Sequence, residues 1–574
     1  MTGQVDKNKV IAVLEEIAIL LELKNEIVFK VRAYENAARA LEGSPRDLDE
    51  LVETGELSKL KGIGAHLEAI ILDLYRNGRS VEYETMRREF PDTLFELFRV
   101  PGLGAKRIKV LYEKLKIKSV ADLEKACLEN RLSALEGFGA KSQGKILLGV
   151  LHFKKSRGHF RIDFAEHESG KISGYLRGQK GIMKMEVAGS IRRRKEIVKD
   201  IDILVSAQNP QAIHDAFVRY PETESVIAHG DTKSGIVLKS GMNCDLRTVS
   251  VKEFPCALYY FTGSKEHNVA VRTLAKKQSI KINEYGLFKG KKVIPCPDEA
   301  AIFKMLGLHF IPPELRENDG EIEFAGKKPI PPLIEENEIR GLLHVHTTAS
   351  DGVASLEDMV RACEEKGYAY VGISDHSQSA RYANGLDMAR LKKQWKEIDQ
   401  WQKKFKIRIF KGIESDIRAD GRLDYPDAVL AELDFVIGAI HGGFQMSEKE
   451  MTERIRRAME NKFMTVLAHP TGRLLLEREP YAVDLMKLID CAEKCGIVME
   501  LNAHPSRLDL DWRMCRVAKS KGVTVGIHPD AHSVEGLDVI RYGIGIARKG
   551  WLEKKDVLNA LSLAKVEAFL KKRK

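Results

Sequence analysis

Between Leu343 and His532 the chain runs through seven short apolar stretches, and nearly every one ends in residues that bind divalent metals. They read LLHVHTTASDG, YVGISDH, IFKGIES, FVIGAIHGG, TVLAHP, IVMELNAH and VTVGIHPDAH. Uncharged runs of this kind resemble buried parallel strands, and in a β/α barrel the chemistry collects at the strands' carboxyl-terminal ends. The candidate ligands are His344, His346, Asp351, His376, Glu414, His441, His469, Asp530 and His532. One strand-end histidine is more often a packed core residue, but repetition over six or more runs is hard to obtain that way. Six imidazoles and three carboxylates are a donor set for two or three divalent ions about 3.5–4 Å apart, an arrangement used to cleave phosphate esters. Helical patterns at Ser355–Lys366, Leu391–Phe405, Glu448–Asn461 and Val483–Cys495 separate the runs, so strands and helices alternate as in a parallel α/β barrel.

The 574 residues are enough for three or four domains. No apolar stretch approaches the roughly 18–20 residues that a membrane span needs, and the start, MTGQVDKNKV, lacks the apolar core of a secretion signal. Eight cysteines without CxxC pairs point to reduced thiols, hence a cytoplasmic protein with no membrane partner, and a monomer is expected. The net charge of +10 is unevenly placed: residues 101–160 carry thirteen Lys/Arg against five Asp/Glu. Local basicity of that kind suits a polyanion such as nucleic acid.

Residues 8–150 read as helices joined by glycine turns, with helical spacing over Asn8–Leu23, Leu67–Tyr75 and Leu94–Phe98. Three turns share one pattern: Gly62-Ile63-Gly64, Gly102-Leu103-Gly104 and Gly137-Phe138-Gly139, the last two followed by Lys106 and Lys141. A tight G-x-G turn before a helix aims backbone N–H groups outward at a positive helix end, where a phosphate can dock. One such turn is an ordinary helix cap. Three in a basic region read as helix-hairpin-helix units that grip a DNA backbone without reading sequence.

The densest chemistry of the middle third is Gly189-Ser190-Ile191-Arg192-Arg193-Arg194, followed by Lys199-Asp200-Ile201-Asp202. Alternate residues of a strand share a face, so Asp200 and Asp202 point together and repel unless a cation lies between them. Asp245, in Asn243-Cys244-Asp245-Leu246-Arg247, opens another apolar run and can complete the cluster. Three carboxylates holding two Mg2+ or Mn2+ ions are what in-line nucleotidyl transfer needs, with Gly189, Ser190 and Arg193 on the triphosphate.

These motifs carry a resemblance. GSxRR followed by DxD, then CDLR, then Tyr259-Tyr260-Phe261-Thr262-Gly263-Ser264, then Ile282-Asn283-Glu284-Tyr285, resembles the family X DNA polymerases, the group that contains polymerase beta. Residues 340–574 are similar to the polymerase-and-histidinol-phosphatase (PHP) domain, with all nine positions of its ligand set filled. The two together look like a bacterial or archaeal family X polymerase with a PHP domain.

That resemblance implies a multidomain fold: a helical helix-hairpin-helix region, an α+β nucleotidyltransferase core like that of polymerase beta, and a distorted seven-stranded α/β PHP barrel. The expected boundaries are 1–90 for an end-binding domain, 91–150 for two further hairpins, 151–315 for palm and nucleotide-binding subdomain, 316–339 for a proline- and charge-rich linker, and 340–574 for the barrel. It further implies that Tyr260, Phe261 and Gly263 line the sugar of an incoming dNTP, that Asn268 meets its base and that Arg272 meets the template side. Lys30 and Tyr34 would bind a 5′-phosphate. Where such enzymes have the lysine that forms a Schiff base with deoxyribose phosphate, this chain has Ile70, with His66 at a nearby phosphate-binding position. Ile70 cannot act as an amine nucleophile, which puts that lyase activity in doubt. The implied function is short-gap filling on gapped or nicked DNA in base excision repair. The barrel would add a Mn2+- or Zn2+-dependent 3′-to-5′ exonuclease, with incision at abasic sites as a further option. Arg473 is a candidate to hold the phosphate or an ordinary surface arginine, whereas His504 and His528, outside the ligand set, read as residues that support the ligands from behind or as structural. A nucleotidyltransferase on RNA or a small molecule, or an inactive end-binding scaffold, is the competing reading. The hairpins argue against the first, and the complete acid and ligand sets against the second.

Overall fold

The computed structural model describes residues 7–572 except 25, 43, 45–47, 61, 101–102, 136 and 157. Helices Lys7–Leu23 and Val28–Glu42 open the chain and bury Leu14, Ile17, Tyr34 and Ala37 against Leu67 and Ile71 of helix Ala65–Asn77. A second core gathers Leu97, Ile108, Leu111, Leu123, Phe138 and Ile146 beneath helices Ala105–Leu115, Val120–Leu128 and Ala140–Ser156.

Where they are described, the three glycine turns share one backbone hydrogen bond. Ile63 N–H donates to Leu60 O at 3.0 Å, Leu103 N–H to Val100 O at 3.2 Å, and Phe138 N–H to Leu135 O at 3.0 Å. Each central apolar residue is buried, while Gly64 and Gly104 cap their helices from extended backbone. Gly62 (φ +104) and Gly137 (φ +83) lie where side chains are rarely tolerated. Gly102 lies outside the described residues, as does the side chain of Lys141.

The middle of the chain contributes β1 (Phe160–Arg161), β2 (Ile182–Val187), β3 (Ile197–Val198), β4 (Asp200–Ala207), β5 (Thr223–His229), β6 (Lys233–Leu238) and β7 (Asn243–Thr248). β1 pairs with β3, and the other five form one sheet in the order β2-β4-β7-β6-β5. Within it β4 and β7 run parallel and every other pair is antiparallel. A small antiparallel sheet of β8 (Ile280–Asn283), β9 (Gly286–Lys289) and β10 (Lys292–Ile294) follows.

Residues 316–339 do not form the loose connection that their composition implies. Arg316 is fully buried, helix Glu321–Ala325 packs Ile322 and Ala325 into the core of the preceding subdomain, and Leu333 and Ile334 are buried too. The prolines and most of the charges lie toward the surface, while the sparse apolar residues turn inward with Arg316 and Glu321, a division that composition averages away.

Seven runs become eight strands, because Gly412-Ile413 interrupts the third: β11 (Gly341–Leu342), β12 (Tyr370–Ile373), β13 (Arg408–Lys411), β14 (Glu414–Asp416), β15 (Ile437–Ala439), β16 (Val466–Leu467), β17 (Val498–Asn502) and β18 (Val525–His528). All pair in parallel, as β11-β12-β13 and β14 to β18. The halves join where His376 bridges Glu414 and where Val345 bridges Ala531, which closes the distorted barrel. The interior is packed tightly enough to dictate glycines: a Cβ on Gly372 or Gly412 would stand 2.6 or 2.1 Å from the Phe435 ring. Two barrel helices begin with reciprocal caps, Ser355 with Asp358 and Ser447 with Glu450. Their starts match the expected positions.

Candidate active sites

The palm centre is built by strand register. Asp202 on β4 stands directly opposite Asp245 on β7, with Asp200 two residues earlier on the same face. Gly189 turns beneath them at φ +62, and a Cβ there would lie 2.1 Å from Asp202 Oδ2, so the glycine is what allows the GS turn to reach the acids. Burial, then the charges of Asp200 and Asp245, push the Asp202 carboxyl up to about 7. Asp200 is raised as well, by burial and by Asp245. Asp245 pairs with Lys233 at 2.7 Å, among the described residues the one ion pair made by the three acids. Carboxylates forced together in this way fit a site for cations, and Asp200 and Asp202 are the residues that would hold them.

The nucleotide-side residues gather around the same turn. Ser190, Arg193 and Asp200 line a cavity of about 710 Å³. Arg193 is more enclosed than a surface phosphate ligand: its Nε donates to Glu317 Oε1 at 3.1 Å and its Nη1 to Thr262 O. Gly263 (φ +70) follows, and a Cβ there would stand 3.0 Å from Arg193 Nη1, which ties the YFTGS turn to the arginine motif. Tyr260 and Phe261 are half-buried with their rings edge to face, and Arg247 lies 4.5 Å over Phe261. Asn268 is buried, its Nδ2 donating to Tyr260 O at 2.7 Å while its Oδ1 has no partner. Arg272 is exposed, with its Nε 3.3 Å from Asn268 O.

The 5′-phosphate expectations fare unevenly. Lys30 is half-buried and 3.7 Å from Glu26. Tyr34 is not an open contact: it is 1% exposed, and its hydroxyl donates to Glu82 at 3.0 Å and lies 3.3 Å from His66 Nε2. Its position on the inner face of helix Val28–Glu42 makes it part of the core. Ile70 is buried in that core too, as an apolar residue on that face must be.

In the barrel the nine candidate ligands converge. Side-chain donors of His346, Asp351, His376 and His532 lie within 4.8 Å of one another, as do those of His344, His346 and Asp530, and those of His376, Glu414 and His441. Among the described residues these are the groups that close so tightly; the palm acids are more spread. His469 joins through Nε2, 3.0 Å from Glu414 Oε1. Among the described residues His344 Nε2, both nitrogens of His346, His376 Nδ1, His469 Nδ1 and Glu414 Oε2 are buried and make no aligned hydrogen bond, although His376 Nδ1 and Glu414 Oε2 lie 2.8 Å apart. Buried ligand atoms crowded against one another without aligned hydrogen bonds fit metal ions. The backbone agrees: His469 (φ 26) and Asp530 (φ 53) hold left-handed conformations unusual for such residues.

Electrostatics sort the ligands. Burial drives His346 and His469 down to about 3, aided by neighbouring histidines at the first and by Arg507 at the second, so both stay neutral and able to ligate. At His441, burial is outweighed by Glu414 and Asp416, which raise it to about 9. At Asp351, burial is outweighed by the His532 hydrogen bond and charge, which bring it down to about 2.

Several functional residues are not evident from the ligand pattern. Glu500 Oε1 accepts from His344 Nδ1 at 2.6 Å, and Asp416 Oδ1 accepts from His441 Nδ1 at 2.6 Å. Both orient a ligand from behind, and both stand inside or just beyond an apolar run, where an unexplained carboxylate is the usable signal. Asp375 accepts from the Thr347 and Ser350 hydroxyls, and Asp509 accepts from the N–H groups of Thr471 and Gly472, fixing the loops after His346 and His469. Arg473, a candidate for holding the phosphate, donates to the carbonyls of Arg507 and Leu508 and pairs with Glu196 at 3.3 Å, tying barrel to palm. Arg507, 3.6 Å from Asp530, is an arginine that does stand beside the ligands. His528 is buried and accepts from Leu343 N–H at 3.4 Å, whereas His504 is exposed with its Nδ1 2.7 Å from Ser506 Oγ.

Comparison with known proteins follows the same division. Family profiles match residues 5–80 (helix-hairpin-helix domain), 95–150 (SAM-like helix-hairpin-helix tandem), 257–317 (DNA polymerase beta thumb) and 343–504 (PHP domain). The chain is 41% identical over 571 residues to the DNA polymerase/3′-5′ exonuclease PolX of Bacillus subtilis (strain 168), covering 99% of each. It is 28% identical over 178 residues to the repair DNA polymerase X of African swine fever virus (strain Badajoz 1971 Vero-adapted), covering 30% of this chain and 99% of the viral protein. A probable phosphatase of Thermoanaerobacter sp. (strain X514) is 24% identical over 243 residues, 40% of this chain and 94% of the phosphatase. Full-length identity to the Bacillus protein, together with these matches, settles the assignment: the chain belongs to the family X DNA polymerases that carry a PHP domain.

Proposed function

We infer that the chain is a DNA polymerase that fills short gaps during repair, joined to a 3′-to-5′ exonuclease that clears the ends it extends. The observation that carries this reading is that two chemically complete centres occupy one chain: Asp200, Asp202 and Asp245 on the palm, and nine converging ligands in the barrel. Gapped or nicked DNA and dNTPs are the substrates, and helix-hairpin-helix turns with exposed Gly64, Gly104, Lys106 and Gly139 hold the backbone. Among the described residues, which include all eight cysteines, no disulfide forms, in keeping with a reducing cytoplasm.

At the palm, Mg2+ or Mn2+ would sit on Asp200 and Asp202, and in the barrel two or three Mn2+ or Zn2+ ions would sit on the nine ligands. Bound ions acidify the attacking hydroxyl or water and neutralise charge on the phosphate. The chain's own groups do the remainder. Ser190 and Arg193 hold the triphosphate, and Gly263 keeps the sugar side narrow. Asp245 receives the primer 3′-hydroxyl proton, so that O3′ bonds to the α-phosphorus as pyrophosphate leaves. In the barrel Arg507 holds the terminal phosphodiester while a water oxygen bonds to phosphorus, the P–O3′ bond breaks with a proton passing to the new chain-end O3′, and a nucleoside 5′-monophosphate departs.

The test is a labelled primer bordering a one-nucleotide gap with a 5′-phosphate, incubated with Mn2+. With dNTPs the primer should lengthen by one nucleotide; without them it should shorten. A primer left unchanged in both would sink the reading and redirect attention to small phosphate esters.

A further inference from the structure

Helix Ile540–Lys549 belongs to the barrel, yet its inner face lies on the palm's arginine motif. A Cβ on Gly545 would stand 3.1 to 3.2 Å from the Arg194 side-chain carbons, so the glycine lets that arginine lie flat along the helix. One turn on, Lys549 is 1% exposed. Its Nζ donates to Arg193 O at 3.2 Å, to Glu314 O at 3.2 Å and to Glu317 Oε1 at 2.5 Å, which uses all three of its donors. The same Glu317 oxygen accepts from Arg193 Nε at 3.1 Å. Arg548 adds a bond to Glu314 at 2.7 Å.

The charge count of this triad matters. Arg193 and Glu317 alone would form a neutral buried pair, with the arginine's charge spent on the carboxylate. With Lys549 on the same oxygen, the three groups keep one net positive charge, and Arg193 is held through its Nε and Nη1. Arg193 faces the cavity that it shares with Ser190 and Asp200, and barrel residues Arg473, Leu475 and Arg478 form another wall of that cavity.

We propose that Lys549 is a positioning residue for nucleotide binding: through Glu317 the barrel fixes Arg193 at the triphosphate and stops the carboxylate from neutralising it. The proposal rests on Arg193 binding the triphosphate, as inferred above. It makes the barrel a structural half of the polymerase pocket as well as the seat of the second activity.

The experiment is steady-state gap filling by the full-length protein with dNTP varied, alongside 3′-end trimming of single-stranded DNA. Lys549→Met should raise the dNTP KM about tenfold with much less change in kcat, because one charge-assisted contact in a coupled network is lost. Trimming should stay at the wild-type rate. Lys549→Met/Glu317→Gln should return KM most of the way, since no unpaired carboxylate is left to capture Arg193. A lysine that merely supports the fold would give a double variant at least as impaired as the single one, with kcat and trimming falling together, and that result overturns the proposal. Should Lys549→Met not fold, Lys549→Gln keeps two donors and carries the same KM test, an unchanged KM counting against the proposal. Arg193→Ala separates the two layers. If it leaves KM unchanged, the reading of Arg193 fails and the proposal with it; if it raises KM while the Lys549 variants do not, only the proposal fails.

Discussion

His344 and Glu500 meet at 2.6 Å, Nδ1 to Oε1, and both side chains are fully buried. The contact leaves His344 Nε2 turned toward Asp530 at 3.3 Å and Glu414 at 3.5 Å. Glu500 also accepts from His469 N–H at 2.8 Å, so one carboxylate orients two ligands. Glu500→Gln should therefore weaken Mn2+ binding and trimming by about 10–100-fold, as other outer-shell partners of metal-ligating histidines do. Isothermal titration with Mn2+ and a trimming assay check this, and gap filling should be unaffected.

Gly189 tests the palm. Alanine there meets Asp202 Oδ2 at 2.1 Å on a backbone of φ +62. Displacing that carboxylate by about 1 Å should lower gap filling by at least about 10²-fold. Trimming serves as the fold control, and Gly189→Ala with normal extension would contradict the geometry.

Asp202 makes metal-free stability depend on pH. Its folded pKa is raised, from 3.8 to about 7, so the folded protein favours the protonated acid. That contribution is intact below 3.8, declines as pH rises and is gone above about 7, where a buried charge remains. In EDTA, Asp202→Asn should melt at a higher temperature than wild type at pH 8, and the gap should narrow toward pH 4. Added Mn2+ should stabilise wild type more than the variant. Equal melting temperatures at pH 8 would argue against a burdened acid cluster.

Lys106 is exposed one residue into the helix that Gly104 caps. If it neutralises a DNA phosphate, Lys106→Ala should weaken binding to gapped duplexes of every sequence alike and reduce the slope of log K against log salt by about one. An unchanged slope would remove that hairpin from the interface.

Much of this was legible in the sequence because its signals are local. The apolar runs and the ligands at their ends mark strands regardless of how the barrel closes, and G-x-G marks a turn wherever it sits. The placement of Asp202 opposite Asp245 follows from two short strands whose parity the sequence reveals. What escaped depends on long-range packing. Glu500 looks like one more strand residue until the fold brings it to His344, 156 positions away. Tyr34 seemed free to meet a phosphate, yet the inner face of its helix puts it in the core. Arg473 lies beside His469 in sequence, but the turn directs it to backbone carbonyls and Glu196, leaving Arg507 nearer the ligands. The segment 316–339 failed for a related reason, since a few buried apolar residues outweigh many exposed prolines and charges.

The central claim is that one chain carries two independent active sites on DNA. The most direct test is a time course on the gapped, end-labelled primer with Mn2+, with and without dNTPs, for wild type, Asp202→Ala and His344→Ala. The account predicts that Asp202→Ala trims without extending and that His344→Ala extends without trimming. Loss of both activities in either variant, or retention of both, would contradict it.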